Sequence, residues 1–107
     1  MSAAPVFDAL IHAPGRLQIC AILSSVDAEF AMLRDAIKVS DSVMSKHLKQ
    51  LEEAGYVKLT KAAENGRQRT WVSLTSAGRK AFAAHVAELQ RLAEMTAPVP
   101  LGQGFSG

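Results

Sequence analysis

The stretch SDSVMSKHLKQLEEAGYV at residues 40–57 places hydroxyl and ammonium groups on one side of a predicted amphipathic helix. Met44, Leu48 and Leu51 recur at helical spacing and define its apolar stripe, so the opposite side is polar. The polar side chains of the first two turns are Ser42, Ser45, Lys46 and Lys49. Hydroxyls exchange hydrogen bonds and ammonium groups neutralise phosphates, so this face suits a polyanion. Taken alone, it fits a solvated helix surface equally well.

The order of charges in this helix opposes the helix macrodipole. Acidic side chains stabilise a first turn and basic side chains a last turn, whereas Lys46 and Lys49 here precede Glu52 and Glu53. Each such contribution is only about 0.3–1 kcal/mol. The arrangement indicates that the lysines serve a purpose other than helix stability.

A second group of basic residues surrounds a predicted turn. Asn65-Gly66 between two alternating segments is the strongest short signal for a β-hairpin. The turn needs no cations to form, yet Lys61, Arg67 and Arg69 flank it. Such a hairpin can lay an arginine along a DNA backbone or into the minor groove. The alternative is a charged edge that prevents aggregation.

Composition bounds the class of protein. A chain of 107 residues suffices for one domain. Its net charge is only +2, but residues 40–80 hold eight of the 12 basic and four of the 10 acidic side chains, the footprint of a polyanion site. No apolar run approaches the roughly 20 residues of a membrane helix, and no signal peptide is recognisable. One cysteine, Cys20, fits a reducing cytoplasm, where we expect the protein.

No catalytic pattern accompanies these features. The sequence has no glycine-rich phosphate loop, no metal-spaced cluster and no nucleophile with an identifiable base. Cys20 lies on an apolar stripe, where a buried structural thiol is expected, and His12, His47 and His85 are scattered along the sequence. We therefore predict a non-enzyme with neither metal nor cofactor.

The order of the elements predicts the fold. We expect a short helix over residues 5–11, a second in RLQICAILSS, a third capped by Asp27, and a fourth that Ser40 caps and Gly55 ends. The strands YVKLTK and RTWVSLT form the hairpin, and a last helix begins near Ser76.

This order describes a mainly α fold with a two-stranded β-hairpin wing, a winged helix-turn-helix. We expect a single domain over residues 1–95 and a flexible tail, rich in Pro and Gly, over residues 96–107.

Three phrases, VSDSVMSKHLKQLEEAGYV, GRQRTWVSLT and LTSAGRKAF, occur in order at suitable spacing. Over residues 7–95 the chain resembles the winged-helix transcriptional regulators of the MarR and ArsR type, in the subgroup of short stand-alone DNA-binding domains. The resemblance implies a homodimer, formed by the terminal helices, on a near-palindromic operator in double-stranded DNA, with repression as the expected role. A recognition helix at residues 41–54 would enter the major groove, and a wing at residues 61–69 would contact the flanking backbone or minor groove.

The resemblance also assigns roles to individual residues. It implies DNA contacts by Ser42, Val43, Ser45, Lys46, Lys49 and Arg67, with His47 on the flank, where it contacts phosphate or packs. The basic residues around the turn add Lys61 and Arg69 to the expected contacts. The expected dimer surface comprises Phe7, Leu10, Ile11, Phe82, Val86 and Leu89. The alternative for these apolar stripes is intramolecular core, although a last helix of roughly 20 residues would outrun so small a core.

The sequence departs from the metal-sensing regulators and leaves two alternatives open. Those regulators carry Cys-x-Cys in the helix that precedes the recognition helix. This chain reads EFAML there, so metal sensing is not expected. One alternative is a winged helix that docks proteins without binding specific DNA. Such a surface would expose aliphatic or aromatic side chains where this chain has Ser45, Lys46, Lys49 and Arg67. The other, compatible with DNA binding, is an unidentified small-molecule effector at the dimer interface.

Overall fold

The computed structural model describes residues 4–96 and shows the predicted winged-helix fold. Its helices and strands follow in the order α1 (Ala9–His12), α2 (Arg16–Leu23), β1 (Ala28–Glu29), α3 (Phe30–Ile37), α4 (Asp41–Glu53), β2 (Val57–Glu64), β3 (Arg67–Leu74) and α5 (Ser76–Thr96). Of the tail expected at residues 96–107, only Thr96 lies within the described residues, and it ends α5. None of the described helices is long and apolar enough to cross a membrane.

Helix α4 has the ends that the sequence predicts. The Ser40 hydroxyl accepts a hydrogen bond from the Val43 backbone N–H at 3.2 Å, which satisfies one of the free donors of the first turn. At the other end, Gly55 adopts a positive φ of 81°, and the Tyr56 N–H bonds back to the Leu51 carbonyl at 2.9 Å. The glycine lets the chain leave the helix without Cβ strain.

The sheet has three strands in the order β1–β3–β2, all antiparallel, where the sequence predicted two. The hairpin itself is confirmed, because Asn65 and Gly66 both take positive φ, 52° and 74°, as a type I′ turn requires. The additional strand is β1, in which Ala28 pairs with Val72. This pairing keeps residues 28–29 extended, so α3 begins at Phe30 and its N-cap is Glu29 rather than the predicted Asp27.

The first helix is shorter than predicted. Residues 5–8 are not helical, and α1 begins at Ala9 after an Asp8 whose carboxylate accepts the Ile11 N–H at 3.0 Å. The preceding segment is held to α5 instead, since the Val6 N–H donates to the Ala84 carbonyl at 3.1 Å. Asp8 is therefore the local signal that determines where this helix starts.

The core joins α1–α4 to the sheet. Its fully buried side chains include Ile11, Ile19, Leu23, Met44, Leu51 and Val72. The predicted burial of Cys20 is confirmed, and burial together with the Asp8 charge raises the pKa of its thiol to about 11. A thiol that stays protonated at neutral pH is a poor nucleophile, as expected for a structural cysteine.

The LTSAG phrase fixes α5 against the end of α4. The Thr75 hydroxyl donates to the Gly55 carbonyl at 2.6 Å and accepts the Gly78 N–H at 2.9 Å, so it caps α5 and closes the loop after α4. A Cβ at position 78 would collide with the Tyr56 carbonyl, so the backbone requires glycine there. The phrase thus positions the long last helix relative to the helix that carries the candidate site.

Candidate nucleic-acid interface

Helix α4 is anchored by its apolar stripe and exposes the opposite side. Met44, Leu48 and Leu51 are 0–1% exposed, so the orientation of the helix about its axis is fixed by the core. The four polar residues of the first turns that the sequence singled out, Ser42, Ser45, Lys46 and Lys49, are all exposed. The structure thus brings these hydroxyls and ammonium groups together on one solvent-facing surface, which we call the reading face.

The charge at the start of α4 is balanced by a residue that the sequence did not reveal. Arg34 of α3 lies 2.8 Å from the Asp41 carboxylate and 2.9 Å from the Asp35 carboxylate. Asp41 precedes the reading face directly, and an uncompensated carboxylate there would repel phosphate. The Arg34 guanidinium offsets that charge and joins α3 to α4 across the turn. A spacing of seven residues across a turn gives no local signal for this pair.

The wing carries its cations on two different faces. In the antiparallel register Lys61 pairs with Thr70 and Arg67 pairs with Glu64. Side chains of directly paired residues share a face of the sheet, and successive residues alternate between the two faces. Lys61 therefore lies on the face that packs on the core at the other end of the hairpin, and Arg67 lies on the opposite face. Both side chains are exposed. They therefore do not form a single cluster around the turn.

Arg69, expected to contact DNA, is occupied within the protein. Its Nη1 atom lies 3.1 Å from each carboxylate oxygen of Glu29, and its Nε atom lies 3.5 Å from Glu64 without hydrogen-bond geometry. The guanidinium is only about one-third exposed, with a side-chain value of 32%. Arg69 thus ties β3 to Glu29 of β1, and its predicted contact with DNA would require this guanidinium to leave the carboxylate or to be shared with it.

His47 packs on the flank of α4, one of its two predicted roles. A Cβ at Gly15 would lie 2.7 Å from the His47 Nε2 atom, and Gly15 has a positive φ of 89°, so the start of α2 approaches the imidazole as only glycine allows. Burial lowers the pKa of His47, and the charges of Arg16 and Lys46 lower it further. The imidazole is therefore neutral at physiological pH and brings no charge to phosphate.

Arg16 is a further residue that sequence reasoning missed. Its Nε donates to the Leu10 carbonyl at 2.6 Å, and its Nη1 donates to the Gln50 Oε1 atom and lies 3.3 Å from the His47 Nδ1 atom. This guanidinium, half-buried between α1 and α4, braces the flank of the helix that carries the reading face. The sequence offers no signal for it, because 34 residues separate Arg16 from Gln50.

The terminal helices meet at a histidine pair, although the histidines are scattered in the sequence. His85 is fully buried, its Nδ1 atom accepts the Asp8 N–H at 2.9 Å, and its Nε2 atom lies 3.0 Å from the His12 Nδ1 atom. Because Nδ1 of His85 accepts, its Nε2 carries the proton and donates to His12, so the buried ring of His85 is neutral in this geometry. Asp8 also accepts a 2.6 Å hydrogen bond from the Tyr56 hydroxyl. The network links α1, α5 and Tyr56, the residue that precedes β2.

The residues expected at a dimer surface divide into two sets. Ile11 is 0% exposed and lies in the monomer core, the alternative that the sequence left open for this stripe. Leu10 and Phe82 are partly buried and pack against the monomer core, while Val86 and Leu89 are half-buried along α5. Phe7 is 47% exposed. Val6 before α1 and Leu92 and Met95 near the end of α5 are also exposed large apolar side chains.

A buried apolar stripe, an exposed Ser/Lys face and a hairpin wing are the parts of a winged-helix DNA-binding domain. Residues 16–93 match the winged helix DNA-binding domain family, and the chain belongs to that family. An uncharacterised protein of Methanocaldococcus jannaschii is 34% identical over 80 residues, which cover 74% of this chain and 87% of that protein.

Solved structures show the same fold. A transcriptional regulator homologue from Pyrococcus horikoshii superposes with a TM-score of 0.77 at 23% identity, over 83% of this chain and 89% of that one. A MarR-family protein from Enterococcus faecalis gives a TM-score of 0.69 at 21% identity, over 83% of this chain and 80% of that one. The predicted winged-helix resemblance is confirmed.

Proposed function

We propose that this protein is a sequence-specific transcriptional regulator that binds an operator in double-stranded DNA as a homodimer. The observation that carries the proposal is the reading face, because the core holds α4 by its opposite side and leaves Ser42, Ser45, Lys46 and Lys49 in solvent. The major groove of B-DNA admits one α-helix, and hydroxyls and ammonium groups reach its base edges and phosphates. Membership of a DNA-binding family supports this use of the face.

The wing supplies a second contact in this account. Arg67 is exposed beside the Asn65-Gly66 turn, where it can follow the flanking backbone or enter the minor groove. Lys61, on the other face of the hairpin, would contact phosphate only if the wing lay edge-on to the duplex. Arg69 is omitted from the contacts because Glu29 and Glu64 already neutralise it.

Dimerisation is proposed through the end of α5 and the segment before α1. Residues 90–96 of α5 are all exposed, and the last turns carry Leu92 and Met95 at 37% and 68% exposure. Apolar side chains at the end of a long helix are covered when a second copy packs against it. A two-fold dimer places two reading faces on one side, and such proteins bind near-palindromic half-sites one helical turn apart, roughly 34–36 Å.

Repression is the proposed direction of control, because a dimer seated on an operator that overlaps a promoter blocks polymerase by occupancy. We assign no catalytic step, metal or cofactor to the protein, and we place its activity in the cytoplasm together with its DNA. A protein-docking module is disfavoured by the reading face, whose hydroxyls and ammonium groups replace the apolar side chains that docking surfaces concentrate.

Salt dependence tests the proposal directly. We expect Lys46→Ala to flatten the slope of log affinity against log salt by about 0.9, the value for one lost phosphate contact. Lys80→Ala, which removes an exposed lysine from α5 and not from α4, serves as the matched control and should leave the slope unchanged. An unchanged slope for Lys46→Ala in a folded protein would remove the reading face from the DNA contact.

A further inference from the structure

Val43 is an apolar side chain on the polar side of α4. Helix α4 is described in full, and its other large apolar residues, Met44, Leu48 and Leu51, are buried, whereas Val43 is 41% exposed. Single exposed aliphatic residues are common on protein surfaces. The position of this one is informative, because it directly follows Ser42 and lies one helical turn before Lys46 on the surface proposed to enter the groove.

Helix stability does not account for the valine. In a solvent-exposed helical position valine is less favourable than alanine, lysine or glutamine. Burial in the core does not fully account for it either, since 41% of the residue remains exposed to water. A contact formed only in a complex is consistent with both facts.

The side chain is also held in a defined orientation. The Val43 N–H donates to the Ser40 hydroxyl at 3.2 Å, which fixes the first turn of α4. A β-branched residue in a helix has one strongly preferred χ1 rotamer. The two methyl groups of Val43 therefore point in a fixed direction before any ligand arrives, and little conformational entropy is lost when a partner covers them.

Base edges in the major groove are polar donors and acceptors, with one apolar substituent among them, the methyl group at C5 of thymine. Cytosine carries the same group when it is methylated at C5. We infer that Val43 reads a pyrimidine C5-methyl group in each operator half-site, and that this contact determines part of the sequence specificity. This inference rests on the proposed function and adds the chemistry of one recognised base position.

The test deletes and adds single methyl groups. Duplexes carrying the protein's selected site are synthesised with each thymine replaced in turn by deoxyuridine, or with each cytosine replaced by 5-methylcytosine. At one position per half-site, we expect uracil to weaken binding of the wild-type protein about fourfold, the ratio that corresponds to ~0.8 kcal/mol for one buried methyl-sized group. If the recognised base is a cytosine, 5-methylcytosine should strengthen binding by a similar factor, so the two substitutions distinguish the two sources of the methyl group.

Val43→Ala completes the comparison. Alanine keeps α4 helical, so this variant should still bind the site. It should, however, bind the thymine and uracil duplexes with equal affinity. Met32→Ala, which removes another exposed apolar side chain, from α3, should retain the full methyl effect. Binding that responds to no methyl group, or a response that persists in Val43→Ala, would overturn the inference and leave the proposed function intact. Failure to bind any duplex would overturn both.

Discussion

Arg16 joins the helix that carries the reading face to the N-terminal part of the chain through Gln50. Its Nη1 atom donates to the Gln50 Oε1 atom, while its Nε donates to the Leu10 carbonyl at 2.6 Å. One guanidinium therefore spans from the backbone of α1 to a side chain of α4, with two donors in a rigid fork. A displacement of α1 changes the bracing of α4, which makes Arg16 a positioning residue for the reading face.

Replacing the guanidinium of Arg16 should weaken DNA binding without removing a DNA contact. Arg16→Lys keeps the charge and loses the second donor, so we expect the free energy of unfolding to fall by about 1–3 kcal/mol and operator affinity to fall. The salt slope of binding should stay at its wild-type value, because Arg16 touches no phosphate in this account. A slope lower by about 0.9 would contradict it and make Arg16 a phosphate contact. Arg91→Lys, on the exposed end of α5, is the control.

His85, buried between α1 and α5, makes stability depend on pH. Burial lowers the pKa of His85, His12 lowers it further, and Asp8 and Glu88 partly oppose the shift. In the unfolded chain, His85 therefore takes up a proton as the pH falls below its ordinary pKa of 6.5, whereas in the folded protein it stays neutral to a lower pH. The contribution of His85 to stability is complete above that pH and declines as the pH falls toward its lowered folded value. The pKa of His47 is also lowered, so this residue changes stability with pH in the same direction.

Urea unfolding at about pH 7.5 and about pH 5.5 measures this decline, whose slope is at most ~1.4 kcal/mol per pH unit for each proton. His85→Gln should be less stable at the higher pH but should lose less stability on acidification than wild type. Equal losses in the two proteins would show that His85 titrates alike in the folded and unfolded states.

Arg67 and Arg69 are two residues apart on the same face of β3, yet they should behave differently. Arg67 is exposed beside the turn, whereas Arg69 contacts both oxygens of Glu29. Arg67→Ala should reduce the salt slope by about 0.9 and leave stability nearly unchanged. Arg69→Ala should lower the free energy of unfolding by about 1 kcal/mol, the upper range for a partly exposed pair, and leave the slope unchanged. The reverse pattern would reassign the wing contact to Arg69.

The end of α5 should control oligomeric state. Leu92 is 37% exposed in the monomer, on the turns of α5 that extend beyond the core. Leu92→Glu should convert the dimer to a monomer in sedimentation analysis and abolish cooperative binding to two half-sites. Gln90→Glu introduces the same charge two residues earlier, about 200° around the helix, and should leave the dimer intact. A wild-type protein that sediments as a monomer would refute the proposed interface.

Local signals allowed α4 and the hairpin to be predicted from the sequence. The Ser40 cap, the left-handed Gly55 and the Asn65-Gly66 turn each act within a few residues, and all three behave in the structure as their chemistry requires. The features that the sequence did not predict depend on long-range contacts. Strand β1 has only two residues, too few to show alternation, and its partner Val72 lies 44 residues away from Ala28.

In the candidate site, too, local patterns could be predicted from the sequence and long-range contacts could not. Helical periodicity placed Lys46 and Lys49 on the exposed side correctly, because the apolar stripe of α4 determines what lies opposite. The same reasoning could not detect that Glu29 neutralises Arg69 or that Ile11 is enclosed by the monomer, since both depend on how distant elements pack.

Selection of genomic DNA fragments by the purified protein at about 150 mM salt, where non-specific phosphate binding is weakened, tests the central claim most directly. The wild-type protein should enrich fragments that share a near-palindromic site, and Lys46→Ala, folded and dimeric, should lose that enrichment. A folded wild-type dimer that enriches no common site, or a Lys46→Ala protein that enriches the same site as strongly, would contradict the assignment of the α4 reading face to DNA.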